Sequence, residues 1–258
     1  MLPVPNPQSP DPNPDSPDPE SGAPRPELKE RLVALLEVLI CSGFPTQLAL
    51  NATFIALGYL PFDATGRLQV GYVVWVSLVD AVLLVGLIVL FLRAHGERPR
   101  DVLFGPRPIA GEIAYGLPLI VAALGAGIGT LLAIRYFAPG LHTVEQNPLE
   151  GLLGSPRDAW LFAWVVLVAG GIREEIQRAF LLHRFEVWLG GGTLGVAVTS
   201  VAFGAGHLLQ GYDAGIVTGL LGAFWGVIYL RRRSAVAPMV SHAGFNLLQI
   251  LQFVVTRR

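Results

Sequence analysis

From Leu32 to the carboxyl end the chain is written in long apolar runs separated by short polar stretches. A helix needs about 20 predominantly apolar residues to cross the hydrocarbon core of a bilayer. The runs near residues 32–60, 69–92, 113–134, 159–184, 193–210, 214–230 and 235–255 meet or approach that length. They predict an all-α fold, a polytopic transmembrane helix bundle of about seven spans, with six to eight as the bounds. Pairs of small residues four apart, Gly125 and Gly129, Gly215 and Gly219, and Gly222 and Gly226, would let these helices approach closely.

Residues 1–27 break the pattern. They hold half of the chain's 20 prolines, interleaved with Asp11, Asp15, Asp18 and Glu20, and almost no large apolar side chains. Such a segment buries too little surface to offset its ordering entropy, so a disordered acidic tail is expected, serving as a tether. The chain then divides into this tail, 1–27, and a transmembrane helical domain, 28–258.

Composition strengthens the membrane reading. Of 258 residues, 52% are hydrophobic and only 14% are charged, where soluble domains carry about a quarter charged. The net charge of −1 offers no basic face for nucleic acid. The single cysteine, Cys41, cannot form an internal disulfide, and no Cys/His cluster marks a structural zinc site. No secretory signal peptide is apparent, so insertion relies on the internal spans.

The few charges are placed informatively. Lys29 and Arg31 precede the first span, Arg93, Arg98, Arg100 and Arg107 follow the second, and Arg231, Arg232 and Arg233 follow the sixth. With seven spans all three clusters face one side, which the positive-inside rule makes cytoplasmic together with the amino terminus. An integral protein of the cell membrane is expected, with the loop bearing Glu145 and Glu150 outside. Arg257 and Arg258 would also lie outside, against the rule.

Within the fourth span stands Gly171-Ile-Arg-Glu-Glu-Ile-Gln-Arg178. A charge at the centre of a membrane helix costs about 2.5 to 3.5 kcal/mol on insertion scales, so intramembrane charges are rare and point to function. Glu174 and Arg178, four apart, share a helix face and can pair, while Glu175 points elsewhere. The fifth span carries Phe203-Gly-Ala-Gly-His207, and the last carries His242-Ala-Gly-Phe-Asn246. Taken singly, each histidine is as readily a packing or hydrogen-bonding residue as a functional one. Hydropathy puts His207 near the end of its span and Glu174 nearer the middle of its own, so convergence would need Gly170-Gly171 or Gly190-Gly191-Gly192 to break or shift a helix.

Together these groups suit amide hydrolysis. Two adjacent carboxylates in a dry setting repel, leaving one able to act as general base toward water, and a histidine can hold that water or pass its proton to the leaving amine. Asn246 with His242 could supply the donors that a developing oxyanion needs. Two histidines and a glutamate are also the ligand set of many catalytic zinc sites. His207 and His242 are therefore candidate ligands for a divalent metal such as zinc, although the HExxH signature is absent.

The ordered set Glu174-Glu175-x-x-Arg178, Phe203-x-x-x-His207 and His242-x-x-x-Asn246 resembles the three-motif signature of the CPBP intramembrane proteases. That family includes the type II CAAX prenyl endopeptidases and the Abi or bacteriocin-processing homologues. The resemblance covers about residues 158–250 and implies a membrane-embedded endopeptidase acting on a prenylated CAAX-type protein or another membrane-associated peptide. It implies that Glu174 and His207 activate water, that His242 and Asn246 stabilise the oxyanion, that Arg178 orients the carboxylates and that Glu175 tunes them. Family members have been described both as metalloproteases and as glutamate-dependent enzymes. Competing readings are a proton-coupled transporter using Glu37, Asp80, Glu174, Glu175 and the histidines, or a non-catalytic scaffold or immunity protein. A transporter commonly shows an internal repeat, and none is visible here.

Overall fold

The computed structural model describes residues 26–145 and 151–256. Most of the proline-rich tail, Glu150, Arg257 and Arg258 lie outside the described residues. Ten α-helices follow in order: α1 Leu28–Ile40, α2 Phe44–Ala56, α3 Val70–Ala94, α4 Pro99–Leu103, α5 Ile109–Phe137, α6 Pro156–Val165, α7 Glu174–Trp188, α8 Gly192–Ala205, α9 Tyr212–Arg232 and α10 Val236–Thr256. Extended pairing among the described residues is limited to one isolated bridge, Phe62 with Leu68.

All seven expected spans fall on helical segments. Helices α3, α5, α9 and α10 are long and apolar enough to cross a membrane, and α1 with α2, bent by 44° at their junction, qualify together as a fifth. The stretch expected at 159–184 is a composite. Pro156 at the first position and the Ser155 hydroxyl, which accepts from the Asp158 amide at 3.2 Å, start α6. The rod then widens into a π segment, Val166–Arg173, and tightens again into α7. The stretch expected at 193–210 is shorter than its hydropathy suggests, because α8 stops at Ala205 and a turn and a 3₁₀ segment, Leu208–Gln210, replace its last residues. With 14 residues, α8 is about 21 Å long, short of the roughly 30 Å core.

Polarity runs from charged groups inside to an oily outside. Val82, Val121, Trp160 and Val201 are largely exposed, whereas Glu112, Glu175 and Arg184 are buried. Four of the buried acids find an arginine, as charges confined to a bundle interior need a partner: Glu37 with Arg184, Asp80 with Arg173, Glu112 with Arg232 and Glu175 with Arg178; the fifth, Asp213, meets His142. Arg184 also pairs with Glu97, in the turn after α3, at 2.6 Å. Burial alone would raise the Glu97 carboxyl, but hydrogen bonds from His183 and Arg184 hold it below the usual glutamate range.

The basic segments after α3 and α9 meet at one end of the bundle, as the charge pattern requires. Arg107 Nε donates to the Arg232 carbonyl at 3.2 Å, the Tyr229 hydroxyl to the Val102 carbonyl at 2.9 Å, and the Ala235 amide to the Leu103 carbonyl at 2.8 Å. Close helix approach is real for two of the expected glycine pairs. A Cβ on Gly219 would lie 3.2 Å from the Ser200 carbonyl, and one on Gly222 would lie 3.0 Å from the Phe203 ring, so α9 rests on α8. Gly125 and Gly129 do not follow this pattern: nothing lies within 4 Å of an added Cβ. The face of α5 that packs on α10 is instead the one carrying Gly116 and Gly127, against Val240 and Phe245.

Candidate active site

The π segment decides how the site is built. Its glycines remove the side chains that would hold α10 away: a Cβ on Gly171 would sit 2.6 Å from the Ala243 Cβ, and one on Gly170 would sit 2.8 Å from the Asn246 amide nitrogen. Widened turns of this kind recur at functional sites because they reset the register of the side chains that follow. Glu174 and Glu175, the first residues of α7, are thereby brought against the face of α10 that carries His242 and Asn246.

The two carboxylates divide sharply. Glu175 is buried; it accepts from Arg178 and from His242 Nδ1, the latter at 2.7 Å. Glu174 keeps 22% of its side chain exposed, and His242 Nε2 stands 3.8 Å from its Oε2, beyond direct hydrogen bonding. The expected pairing of Arg178 with Glu174 is therefore corrected: the guanidinium pairs with Glu175, three residues away. Neighbours three apart meet as readily as those four apart, and the Phe203 ring, 4.7 Å from the guanidinium carbon, and Trp225, at 5.7 Å, hold the cation on that side.

His242 is fixed on every side. Its ring stacks on Trp225 at 3.9 Å with 16° between planes, and the Trp225 indole N–H donates to the Ser241 hydroxyl at 3.1 Å. Phe203 meets it edge-on at 6.1 Å. With Nδ1 on a carboxylate, Nε2 is the nitrogen turned toward Glu174, a tautomer set by the Glu175 contact.

His207 comes less close. It lies past the end of α8, its Nδ1 donating to the Phe203 carbonyl at 2.8 Å and its ring against the Phe203 ring at 4.9 Å. Phe203 is thus the wall shared by both histidines. Among the described residues no hydrogen bond or ion pair links His207 to Glu174 or Glu175. Because α8 stops at Ala205, His207 sits on the irregular backbone that joins it to the 3₁₀ segment. Glu174, Glu175, Arg178, Phe203 and His242 are gathered, Asn246 borders them beside Gly170, and His207 joins through Phe203.

Several participants carry no role in the sequence reading. Trp225 is one, and no local signal marks it. Arg173 is another: it pairs with Asp80 on α3 directly before Glu174, and Gln177 one turn on donates to the Cys41 carbonyl at 2.7 Å. A lone aspartate in an apolar span demands a cation, so the sequence signals that Asp80 needs a basic partner, but nothing in the spacing singles out Arg173. Glu37 and Asp80, the extra acids of a proton-carrier reading, are each held in an arginine ion pair.

Metal binding is judged on the donors. Among the described residues no group of three or more His, Cys, Asp or Glu side chains is close enough to hold a metal ion. The Nδ1 contacts of His207 and His242, to the Phe203 carbonyl and to Glu175, would leave each Nε2 free to ligate, but no third donor joins them among the described residues, so this donor set does not fit a zinc centre as it stands. The chemistry that follows uses side chains and water.

Residues 156–248 match the family model described as Type II CAAX prenyl endopeptidase Rce1-like. No curated protein and no solved structure matches the chain.

Proposed function

Since residues 156–248 belong to the type II CAAX prenyl endopeptidase Rce1-like family, we propose that this integral membrane protein hydrolyses a peptide bond in a prenylated CAAX-type or similarly anchored substrate, with Glu174 as general base. The observation that carries the assignment is the contrast within the acid pair. Glu175 is committed to Arg178 and His242, while Glu174 is partly exposed and faces His242 Nε2 across 3.8 Å. A gap of that size between polar groups suits a bridging water.

In this reading Glu174 takes a proton from the water as its oxygen attacks the scissile carbonyl, with His207 Nε2 helping to hold that water. The tetrahedral intermediate collapses as the C–N bond breaks, and the Glu174 carboxylic acid returns the proton to the leaving amine. The Asn246 amide, and His242 Nε2–H when the ring is protonated, donate to the oxyanion. Arg178 and Glu175 keep His242 oriented. The apolar outer surface lets a lipid-anchored peptide approach within the bilayer, and the positive-inside rule places the basic end in the cytoplasm.

The test is cleavage of a farnesylated or geranylgeranylated CAAX peptide by purified protein in proteoliposomes, read by mass spectrometry. Release of a carboxyl-terminal fragment, undiminished by chelator and without stoichiometric metal, is expected. Intact peptide of every prenylated type contradicts the function, and activity lost and regained with zinc contradicts the metal-free mechanism.

A further inference from the structure

Away from the acid pair, a groove of about 460 Å³ runs down the outside of the bundle between α5 and α9, lined by Tyr115, Leu119, Leu220, Ala223, Val227 and Arg231 among others. Its volume is in the range of small-molecule sites, about 300 to 1,000 Å³. Ala223 is the smallest of the lining side chains, so a larger one there would take up groove space. Along α9 the lining runs from Leu220 to Arg232, a rise of about 18 Å. That is slightly more than half of a roughly 30 Å hydrocarbon core, the depth of one leaflet.

The mouth of the groove is basic. Arg232 is neutralised by Glu112, bonding both carboxylate oxygens, and its guanidinium lies 4.0 Å from the centre of the Tyr115 ring. Arg107, half-exposed, bonds the Arg232 carbonyl and stands 3.9 Å from the same Glu112. Arg233 is paired with Glu186. Arg231 is exposed and, among the described residues, has no ion-pair partner. One glutamate is thus shared by Arg107 and Arg232 while Arg231 stands apart from it, leaving positive charge over an apolar channel one leaflet deep.

We infer that this groove binds an anionic phospholipid, with one acyl chain between α5 and α9 and the headgroup phosphate on Arg231, flanked by Arg107. Tyr115, exposed and beneath the Arg232 guanidinium at the basic mouth, is the residue type that favours the headgroup level. Both ends of the occupant are matched: charge at the basic mouth and hydrocarbon below it.

The experiment is native mass spectrometry of the purified full chain in detergent, titrated with phosphatidylglycerol, phosphatidylcholine and inorganic phosphate. Phosphatidylglycerol is expected to bind about five- to tenfold more tightly than phosphatidylcholine, the effect of one well-placed cation. That preference should vanish in Arg231→Gln, persist in Arg231→Lys, and persist in Arg100→Gln, which removes another exposed arginine. Ala223→Phe, which takes up groove space, should weaken both lipids; if it fails to fold, the Arg231 series still decides. Equal affinity for the two lipids, an Arg231→Gln variant indistinguishable from Arg100→Gln, lipid binding unchanged in folded Ala223→Phe, or inorganic phosphate binding as tightly as phosphatidylglycerol would overturn the inference.

Discussion

Adjacent glutamates with the same intrinsic chemistry do different work because their neighbours differ. Glu175 completes a buried set with Arg178 and His242, whereas Glu174 is left with an exposed edge and, among the described residues, only the 3.8 Å approach of His242 Nε2. Removing one member of a buried ion pair strands the other, typically at a cost of about 3 to 5 kcal/mol. Glu175→Gln should therefore lower the stability of the helical domain by about that amount in a denaturant titration, with activity falling alongside. Glu174→Gln should leave the same unfolding curve nearly unmoved; equal destabilisation by both would contradict the division of roles. At this scale the sequence was legible in kind but not in detail. The motif residues could be named from their rarity in apolar spans, but Arg178 was matched to Glu174 because helical spacing cannot separate a partner three residues away from one four away. Trp225 was invisible for a similar reason, since a tryptophan in an apolar span looks the same whether it meets lipid or the face of His242.

Among the elements, the apolar runs located the helices and the glycines located the departures from regularity. Gly170-Gly171 was one of two glycine runs that a convergent site would need to break or shift a helix, and it lies inside the π segment that presents Glu174 and Glu175 to α10. What hydropathy could not show was the unwinding after Ala205: Leu208 and Leu209 are apolar enough to extend a span, yet they belong to a 3₁₀ turn. Nor could spacing show which glycines meet a neighbour. The structure separates them. Gly171→Val should push α10 off the π segment, because the added Cβ would meet Ala243 Cβ at 2.6 Å and its backbone Cα at 3.0 Å, and a loss of about 100-fold in cleavage is expected for a displacement near 1 Å. Gly125→Ala, with open space around the new methyl, should keep full activity and gain about 0.5 to 1 kcal/mol in helix stability. Equal effects from the two substitutions, measured by cleavage rate and unfolding, would contradict the packing described.

Across the whole molecule the scarcity of charge identified the solvent, and the location of the remaining charges identified the interior. The basic segments flanking α3 and α9 meet at one end, as their pattern required, while three of the buried acids draw a helix toward an arginine on another element: α1 to α7, α3 to the π segment, α5 to α9. Those long-range matches were not legible, because each acid has several chemically equivalent arginines to choose from and only the packed bundle selects one. The same packing leaves Glu174 as the free carboxylate beside a fixed histidine, and on this the functional account depends. Its most direct test is the cleavage rate of a prenylated CAAX peptide by wild-type and Glu174→Gln protein in matched proteoliposomes. The account predicts a rate at least about 100-fold lower for Glu174→Gln, the usual minimum for loss of a general base, in protein that is otherwise folded; a variant cleaving at the wild-type rate would contradict it.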